Sequence, residues 1–323
     1  MTLSQLRSFL TVARLGSVKA AARSLDVSDA AVSGAVRALR LELGDELYIR
    51  AGGALELTPG GRRLASGASE ILGLAEHTTR VVREATTDTR TLRVAVTPAV
   101  AEFVAEPLLE SFKRRFARID VALRIARSTE FVGLLGDRTV DVALGPRVGG
   151  GAQPSIDSEP FLRYTLVVVA ALGHALAQSK AVAPASLVGT PWLLGPLESD
   201  ASNETGGFLA RQAIVPQRMH TFGNFAAALG QVVAGRGITL AIRHTVTGEL
   251  ERGALVELDV RGTPLHGVWH ASMLPRPRRI AAAETLHDFL MLPETIRVLL
   301  ARSGGVPAER FRARAPMNAE RRR

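Results

Sequence analysis

The 323-residue sequence contains no cysteine. Without cysteine the chain forms neither a disulfide framework nor a thiolate metal site. No stretch approaches the roughly 18 uninterrupted apolar residues of a membrane-spanning helix. The first residues also lack the basic head and long apolar run of a secretory leader. Because 46% of the residues are hydrophobic, the chain can fill real cores and is not disordered as a whole. We expect a cytoplasmic protein of two or three domains.

The sequence also lacks the short motifs of common catalytic and nucleotide-binding sites. It contains no G-x-S-x-G, H-E-x-x-H or G-x-x-x-x-G-K, and Gly235-Arg236-Gly237 lacks the third glycine of a dinucleotide fingerprint. His266 and His270 have no acidic or cysteine partner at ligand spacing, which favours a strand with one buried imidazole over a metal pair. We expect no enzyme activity, no cofactor and no metal.

Positive charge is in excess but is unevenly placed along the chain. Forty basic residues against 31 acidic ones give a net charge of +9, which favours a polyanionic partner. Residues 304–323 alone carry six arginines and two glutamates, and they lack apolar periodicity. They are predicted to form an Arg-rich disordered tail, so the charge of the folded part is only weak support for nucleic-acid binding.

Residues 2–43 have the pattern of three short helices. Thr2 and Gln5 have the spacing of a capping box, and Gly16 ends the first helix. Ser17 caps a second helix, from Val18 to about Leu25.

The third helix begins after the cap residue Ser28 and ends before Gly44. Its inward positions are predicted to be Val32, Val36, Leu39 and Leu43. Its opposite face is predicted to be Asp29, Ser33, Arg37 and Arg40. This order of elements is typical of a helix-turn-helix.

Two short strands around Gly52-Gly53 are predicted to form a β-hairpin, or wing. Thr58-Pro59 then begins a helix that continues to about Glu84 and is roughly 40 Å long at 1.5 Å per residue. Along one side of this helix, a stripe of residues has the seven-residue spacing of a coiled coil. The stripe predicts dimerisation residues at Leu64, Ile71, Leu74 and Val81. The alternative is a helix that lies on its own domain.

From Leu92 onward, short apolar runs alternate with helices, which indicates an α/β fold with a parallel sheet covered on both faces. Two groups of strands predict two lobes, with lobe I at about 90–162 and 268–303 and lobe II at about 163–267. Helix N-termini at the strand ends would line a crevice between the lobes, and such a crevice binds small molecules.

The segment from Leu3 to Arg50, followed by LTPGG, resembles the LysR-type transcriptional regulators in the order and spacing of helix, turn, recognition helix, wing and linker helix. A looser match continues through LRVAVTP, FKRRFARIDVALRI, TVDVALG and VVAGRGITLA. The resemblance implies a winged helix-turn-helix DNA-binding domain (1–58), a linker and dimerisation helix with a hinge (59–89), and an effector-binding domain (90–303). The last of these would be similar to two-lobed periplasmic solute-binding proteins. The implied protein is a homodimer or homotetramer that binds promoter DNA and a small-molecule effector.

The resemblance also assigns the third helix to the major groove and Arg50 to the wing. The expected DNA-binding residues are Ser17, Ser28, Asp29, Ala30, Ser33, Arg37, Arg40 and Arg50. Where members of the family often have Gln and Arg, this sequence has Asp29 and Gly34. Because a carboxylate accepts from cytosine N4 and repels phosphate, relatives do not indicate the target sequence.

Polar residues that follow the strands of each lobe are the candidates for the effector site. They are Thr97, Ser128, Thr129 and Arg147 from lobe I, and Asn203 and Asn224 from lobe II. Among them, the two hydroxyls of Thr97 and Ser128, the helix-terminal N–H groups and the cation of Arg147 suit a small organic acid or another anion. An apolar site near Val100, Phe131 and Phe222 is the alternative.

Two other function classes remain open at this point. One is a small-molecule binding protein whose N-terminal motif serves protein association. The other is an enzyme on the same two-lobed scaffold, against which the lack of a nucleophile or acid/base pair argues.

Overall fold

The computed structural model describes residues 1–51, 54–84, 89–148, 156–196, 198–200 and 203–300. The chain divides into two compact units. Unit 1 comprises residues 1–88 together with 133–140, and unit 2 comprises 89–132 and the described residues from 141 onward. The predicted tail at 304–323, residues 86–88 of the linker and Gly52-Gly53 of the wing lie outside the described residues.

Unit 1 is built from helices and one antiparallel hairpin. Its helices are α1 (Leu3–Leu15), α2 (Val18–Leu25), α3 (Asp29–Leu43) and α4 (Pro59–Glu84). The hairpin consists of β1 (Tyr48–Ala51) and β2 (Ala54–Leu57), in which Arg50 lies opposite Leu55. This order of helices and hairpin is that of a winged helix-turn-helix.

The ends of these helices lie where the cap residues predict them. Ser17 Oγ accepts from Ala20 N, and Ser28 Oγ accepts from Ala31 N. Gly16 and Gly44 end α1 and α3 with positive φ, a conformation that glycine adopts without steric cost.

The core of unit 1 is formed by apolar side chains of all four helices and the segment before β1. Its buried members include Leu6, Phe9, Val12, Ala21, Val32, Val36, Leu39, Leu47, Ala68 and Leu72. The prediction that Leu43 points inward was wrong. Leu43 is exposed because it is the last residue of α3, one turn beyond the final core residue Leu39.

The start of α4 is bonded to the turn before the hairpin. Thr58 Oγ1 accepts from Gly61 N at 2.8 Å and donates to Asp45 Oδ1 at 2.6 Å. The Thr58 hydrogen bond holds the pKa of Asp45 below its usual value. A Cβ added at Gly61 would overlap the Leu47 carbonyl, so a glycine is needed at this close approach.

Unit 2 contains one mixed sheet of nine strands. These are β3 (Arg90–Val96), β4 (Ile119–Ile125), β5 (Val142–Gly145), β6 (Asp157–Ala171), β7 (Trp192–Leu194), β8 (Met219–Thr221), β9 (Ile238–Ile242), β10 (Leu255–Glu257) and β11 (Leu265–Met273). Their order is β4-β3-β5-β11-β6-β9-β7-β8, and β10 also pairs with β6.

Helices connect and cover these strands. They are α5 (Pro98–Val100), α6 (Glu106–Arg115), α7 (Phe131–Gly136), α8 (Glu204–Arg211), α9 (Phe225–Val233), α10 (Thr247–Glu251), α11 (Ala281–Leu290) and α12 (Pro293–Leu300). A π-helical turn, Ala101–Ala105, joins α5 to α6. Among the described residues, no helix is long and apolar enough to cross a bilayer.

The expected parallel pairing is present within each lobe. In lobe I, β3 pairs with β4 and β5, and in lobe II, β7 pairs with β8 and β9. The sheet as a whole differs from the expected parallel sheet and is mixed, because β6 and β11 are antiparallel to each other and to their other neighbours. These two long strands lie in the middle of the sheet and span the predicted boundaries between lobe I and lobe II.

Two irregularities interrupt the elements of unit 2. The register between β6 and β11 shifts between Trp269 and His270, so a β-bulge interrupts the two long strands. The helical segment after β11 is divided into α11 and α12. Pro293 begins the second helix, since proline cannot supply the N–H that a continuous helix needs there.

Candidate nucleic-acid interface and ligand site

One face of α3 is buried in unit 1 and the other is exposed. Val32, Val36 and Leu39 are buried on the core side. Toward the N-terminal end of α3, the exposed side chains include Asp29, Ala30, Ser33 and Arg37, with Gly34 among them. This end of the helix therefore presents small polar groups and one guanidinium to an outside partner.

Two serines lie at the N-termini of consecutive helices. Ser17 begins α2 and Ser28 begins α3, and each hydroxyl oxygen accepts a backbone N–H. Each hydroxyl keeps its own proton for donation. A helix N-terminus with a free O–H donor is suited to a phosphate oxygen.

Arg40 does not join the exposed face of α3, contrary to the prediction. Its guanidinium lies 4.4 Å from the centre of the Tyr48 ring and donates from Nη2 to Tyr48 O at 3.1 Å. Nη1 is 3.1 Å from Glu46 Oε2. The side chain is directed toward β1 because these three groups hold it there.

Arg50 lies on β1, two residues after Tyr48, and its side chain is exposed. Side chains two apart on a strand point to the same face of the sheet. Tyr48 and Arg50 therefore share one face of the hairpin.

The long helix α4 has one buried and one exposed apolar stripe. Ala68 and Leu72 are buried, and Leu64 packs partly against the same core. By contrast, Ile71, Leu74 and Val81 are 42%, 49% and 47% exposed. Leu64 is thus used within unit 1, contrary to the predicted dimerisation stripe, whereas the other three side chains are available to a partner.

In lobe I, the expected ligand residues follow the carboxyl ends of parallel strands. Thr97 comes directly after β3, Ser128 follows β4, and Arg147 follows β5, so all three are at the same edge of the sheet. Thr97 is buried and its Oγ1 accepts from Val100 N at 3.5 Å. Ser128 is half-buried, and Thr129 and Arg147 are exposed.

In lobe II, the two expected asparagines begin helices. Asn224 Oδ1 accepts from Ala227 N at 2.8 Å and so caps α9. Asn203 is buried before α8, but its side chain makes no cap hydrogen bond.

Direct contacts join the two segments of unit 2 that were predicted to form lobe I and lobe II. Glu102, on the π-helical turn of lobe I, accepts from Ala226 N at the start of α9 at 3.1 Å. The rings of Phe103 and Phe225 meet edge to face at 5.2 Å. Arg127 Nε is 3.2 Å from Asp200 Oδ2.

A group of carboxylates near these contacts was missed by the sequence reasoning. Glu204 Oε1 accepts from Tyr164 Oη at 3.1 Å and from Trp269 Nε1 at 3.2 Å. Glu198 accepts from Gly195 N at 2.7 Å. Burial, with repulsion from Glu102 and Glu204, raises the pKa of Glu198 to about 7. The glycine pair in ETGGFLAR weakens the helical pattern of α8, so no local signal marked Glu204.

The two histidines of β11 have separate neighbours. His266 is exposed and its Nδ1 is 3.4 Å from Thr165 Oγ1. His270 is half-buried and its Nδ1 is 3.1 Å from Val268 O. The fully buried residue is Trp269 between them, so the prediction of one buried imidazole here was wrong.

Ligand atoms of Glu284, His287 and Asp288 lie within 4.8 Å of one another. They belong to an ion-pair network. Arg279 Nη1 is 3.1 Å from Glu284 Oε1, and His287 Nε2 is 2.9 Å from Glu159 Oε2. Glu284 and His287 therefore already have protein partners outside the cluster, and the exposed Asp288 Oδ1 lies 3.3 Å from His287 Nδ1.

The chain is similar to known proteins over nearly its whole length. Residues 3–62 match the family model for bacterial regulatory helix-turn-helix proteins of the lysR family, and residues 85–291 match the model for the LysR substrate-binding domain. An uncharacterised HTH-type transcriptional regulator of Mycobacterium tuberculosis is 40% identical over 314 residues, which cover 97% of each chain.

The HTH-type transcriptional regulator CfxR of Cupriavidus necator is 30% identical over 311 residues, covering 95% of this chain and 96% of CfxR. Among solved structures, ArgP from Mycobacterium tuberculosis superposes with a TM-score of 0.60 at 18% identity, covering 92% of this chain and 96% of ArgP.

Proposed function

We propose, from the premise that this chain belongs to the LysR family of bacterial transcriptional regulators, that it acts as an oligomer on paired DNA half-sites and responds to a small anionic effector. The family consists of DNA-binding regulators with an effector-binding domain, and not of enzymes. Since the partner is promoter DNA, we place the action of the protein in the cytoplasm.

Successive segments of the chain are proposed to have separate functions. Residues 1–58 bind DNA, 59–89 dimerise and act as a hinge, and 90–303 bind the effector, with an Arg-rich tail at 304–323. The β-bulge beside Trp269 lies close to the proposed boundaries of lobe I and lobe II, at 162/163 and 267/268. A bulge bends the strands that carry it, which supports relative motion of the two lobes at this point.

The exposed face of α3 is the observation that carries the DNA-binding proposal. Ser33 and Arg37 project from it, and Arg37 has the length and donor geometry for a bidentate contact to guanine in the major groove. Asp29 and Ala30 lie at the N-terminal end of the same face. Ser17 and Ser28 would hold phosphates at the two helix N-termini, and Arg50 would contact the backbone beside the wing.

The exposed stripe of α4 supports self-association. Ile71, Leu74 and Val81 leave a large apolar area in water on a helix about 40 Å long. A second copy of α4 would cover it with the same residues, as in a two-fold interface. Such a dimer presents two α3 helices to two half-sites, and pairs of dimers would give the tetramer.

The effector proposal places an anionic group at the strand ends of lobe I. The hydroxyls of Thr97, Ser128 and Thr129, the helix-terminal N–H groups and the cation of Arg147 are suited to one carboxylate or phosphate. Asn203 and Asn224 would approach from lobe II. Glu198 and Glu204 also lie in lobe II, and a second anionic group on that side is disfavoured by Glu204 and, above the raised pKa of about 7, by the charge of Glu198 as well. We therefore favour a ligand with a single acidic end.

An electrophoretic mobility shift with genomic fragments and excess competitor DNA tests the DNA-binding proposal. The protein should retain specific fragments in the presence of competitor, and retention should weaken steeply as salt rises. If competitor DNA displaced all of the bound genomic fragments even at low salt, the result would instead support a small-molecule binding protein whose N-terminal motif associates with other proteins.

A further inference from the structure

Arg40 connects the recognition helix to the wing through three separate contacts. The side chain is 30% exposed, and its guanidinium lies over the Tyr48 ring at 4.4 Å. Nη2 donates to Tyr48 O at 3.1 Å, and Nη1 is 3.1 Å from Glu46 Oε2. All three partners belong to the segment that enters β1.

The contacts differ in strength. The Glu46 side chain is 71% exposed, and an ion pair with so exposed a partner contributes little to stability. The ring contact and the bond to Tyr48 O are directional and depend on the planar guanidinium, which stacks with its face and donates with its edge. A lysine has a single point charge and cannot make both contacts in this geometry.

The position of Tyr48 matters for DNA because of its place on β1. Tyr48 pairs with Leu57, Arg50 pairs with Leu55, and the side chains of Tyr48 and Arg50 share one face of the hairpin. A shift of Tyr48 relative to α3 would therefore move Arg50 as well. Arg37 lies one helical turn before Arg40 on α3.

We propose that Arg40 is a positioning residue for DNA recognition: it contacts no DNA and fixes the wing relative to α3, so that Arg37 and Arg50 engage DNA together. This inference rests on the proposed DNA binding through α3 and the wing.

A double-mutant cycle on a duplex protected by the wild-type protein tests the proposal. Binding affinity is measured by fluorescence anisotropy between 50 and 200 mM salt for Arg40→Gln, Arg50→Ala and the double variant. We expect Arg40→Gln to weaken binding by about tenfold in the wild-type background, and by less than about twofold once Arg50 is alanine. Arg40→Gln should also change how steeply the affinity falls with salt in the wild-type background, and should leave that dependence unchanged in the Arg50→Ala background.

Tyr48 variants provide a second test of the proposal, because they change no charged residue. Tyr48→Leu removes the ring contact and should weaken binding as Arg40→Gln does, whereas Tyr48→Phe keeps the ring and should bind like wild type. Arg40→Lys should not restore wild-type affinity. Arg37→Gln is the matched control on the same helix, and its loss should add to that of Arg50→Ala because Arg37 contacts DNA itself.

The proposal is overturned if Arg40→Gln weakens binding and changes its salt dependence to the same extent with and without Arg50, because Arg40 would then contact phosphate directly. Wild-type binding by Tyr48→Leu or by Arg40→Lys would overturn it too. Lack of specific binding by the wild-type protein would instead reject the proposed function, and this inference with it.

Discussion

Glu102 of lobe I accepts a hydrogen bond from Ala226 N at the start of α9 in lobe II, at 3.1 Å. The neighbouring Phe103 and Phe225 rings meet edge to face beside it. Both lobe I residues come from the π-helical turn, and such turns inside helices are often found at functional sites. If the two proposed lobes open relative to each other, these contacts have to break.

Glu102→Ala should therefore loosen the start of α9. Because the bond is exposed to water, its loss should lower the free energy of unfolding by only about 0.5 to 1.5 kcal/mol. Hydrogen exchange should become faster at the amides of Ala226 and its neighbours. Glu106→Ala, one turn further along and exposed, is the matched control and should leave exchange there unchanged. Equal protection in both variants would mean that the contact does not hold the lobes.

A charge on the exposed stripe of α4 should prevent self-association. Ile71→Asp would bury an unpaired carboxylate between two copies of the helix, at a cost of several kcal/mol. Sedimentation should show dissociated protein, and cooperative binding to two half-sites should be lost. Ser66→Asp adds the same charge to another exposed face of α4 and should remain associated. An intact oligomer of Ile71→Asp would place the interface elsewhere.

Glu198 should make unit 2 less stable as pH rises. Its pKa is raised to about 7 by burial and by the nearby glutamates, so the folded state binds the proton more tightly than the unfolded chain does. This contribution to stability is complete below the unfolded pKa near 4.5 and is lost as pH rises toward 7. Glu198→Gln should remove this dependence and be more stable than wild type at pH 8, by roughly 1 to 3 kcal/mol.

Denaturant unfolding at pH 5 and pH 8 measures this effect. Glu251→Gln, which changes an exposed glutamate of α10, should follow the wild-type pH dependence. If Glu198→Gln did so as well, the carboxyl would titrate normally in the folded protein.

The hydroxyls of lobe I should be needed for binding of an acid. In a thermal-shift screen of organic acids, sugar phosphates and neutral analogues, the acids should stabilise the wild-type protein. Thr97→Val with Ser128→Ala should abolish this shift, while Thr285→Val on α11 should keep it. Since Thr97 also caps a helix, its replacement costs about 0.5 to 2 kcal/mol, so the ligand-induced shift is compared and not the transition temperature itself. Stabilisation by neutral apolar compounds alone, or acid binding that survives the double substitution, would exclude the anion site.

The parts of the fold that were predicted correctly depend on local signals. Ser17, Ser28, Gly16 and Gly44 act on the backbone within one turn, so their effect is visible in a short stretch of sequence. The parallel strands of each lobe follow from alternation of strand and helix in the same way.

The features that were missed depend on pairs of residues far apart in the chain. The antiparallel pairing of β6 with β11 joins segments about a hundred residues apart, and no local pattern specifies it. Helical periodicity alone predicts that Arg40 lies on the exposed face of α3. In the structure its side chain is directed toward Tyr48, which belongs to the next element, β1. Likewise, the raised pKa of Glu198 depends on Glu102 and Glu204, which the fold brings near it.

Footprinting of the purified protein on a retained genomic fragment, with and without Arg37→Ala, tests the central claim most directly. The wild-type protein should protect two half-sites whose centres are separated by whole helical turns, about 10 base pairs each. Arg37→Ala should lose about 1 to 3 kcal/mol of binding and relax preference at one position of each half-site, whereas Arg252→Ala, which removes a charge from unit 2, should not. Equal affinity and preference for Arg37→Ala, or protection without paired half-sites, would contradict DNA recognition by α3 in an oligomer.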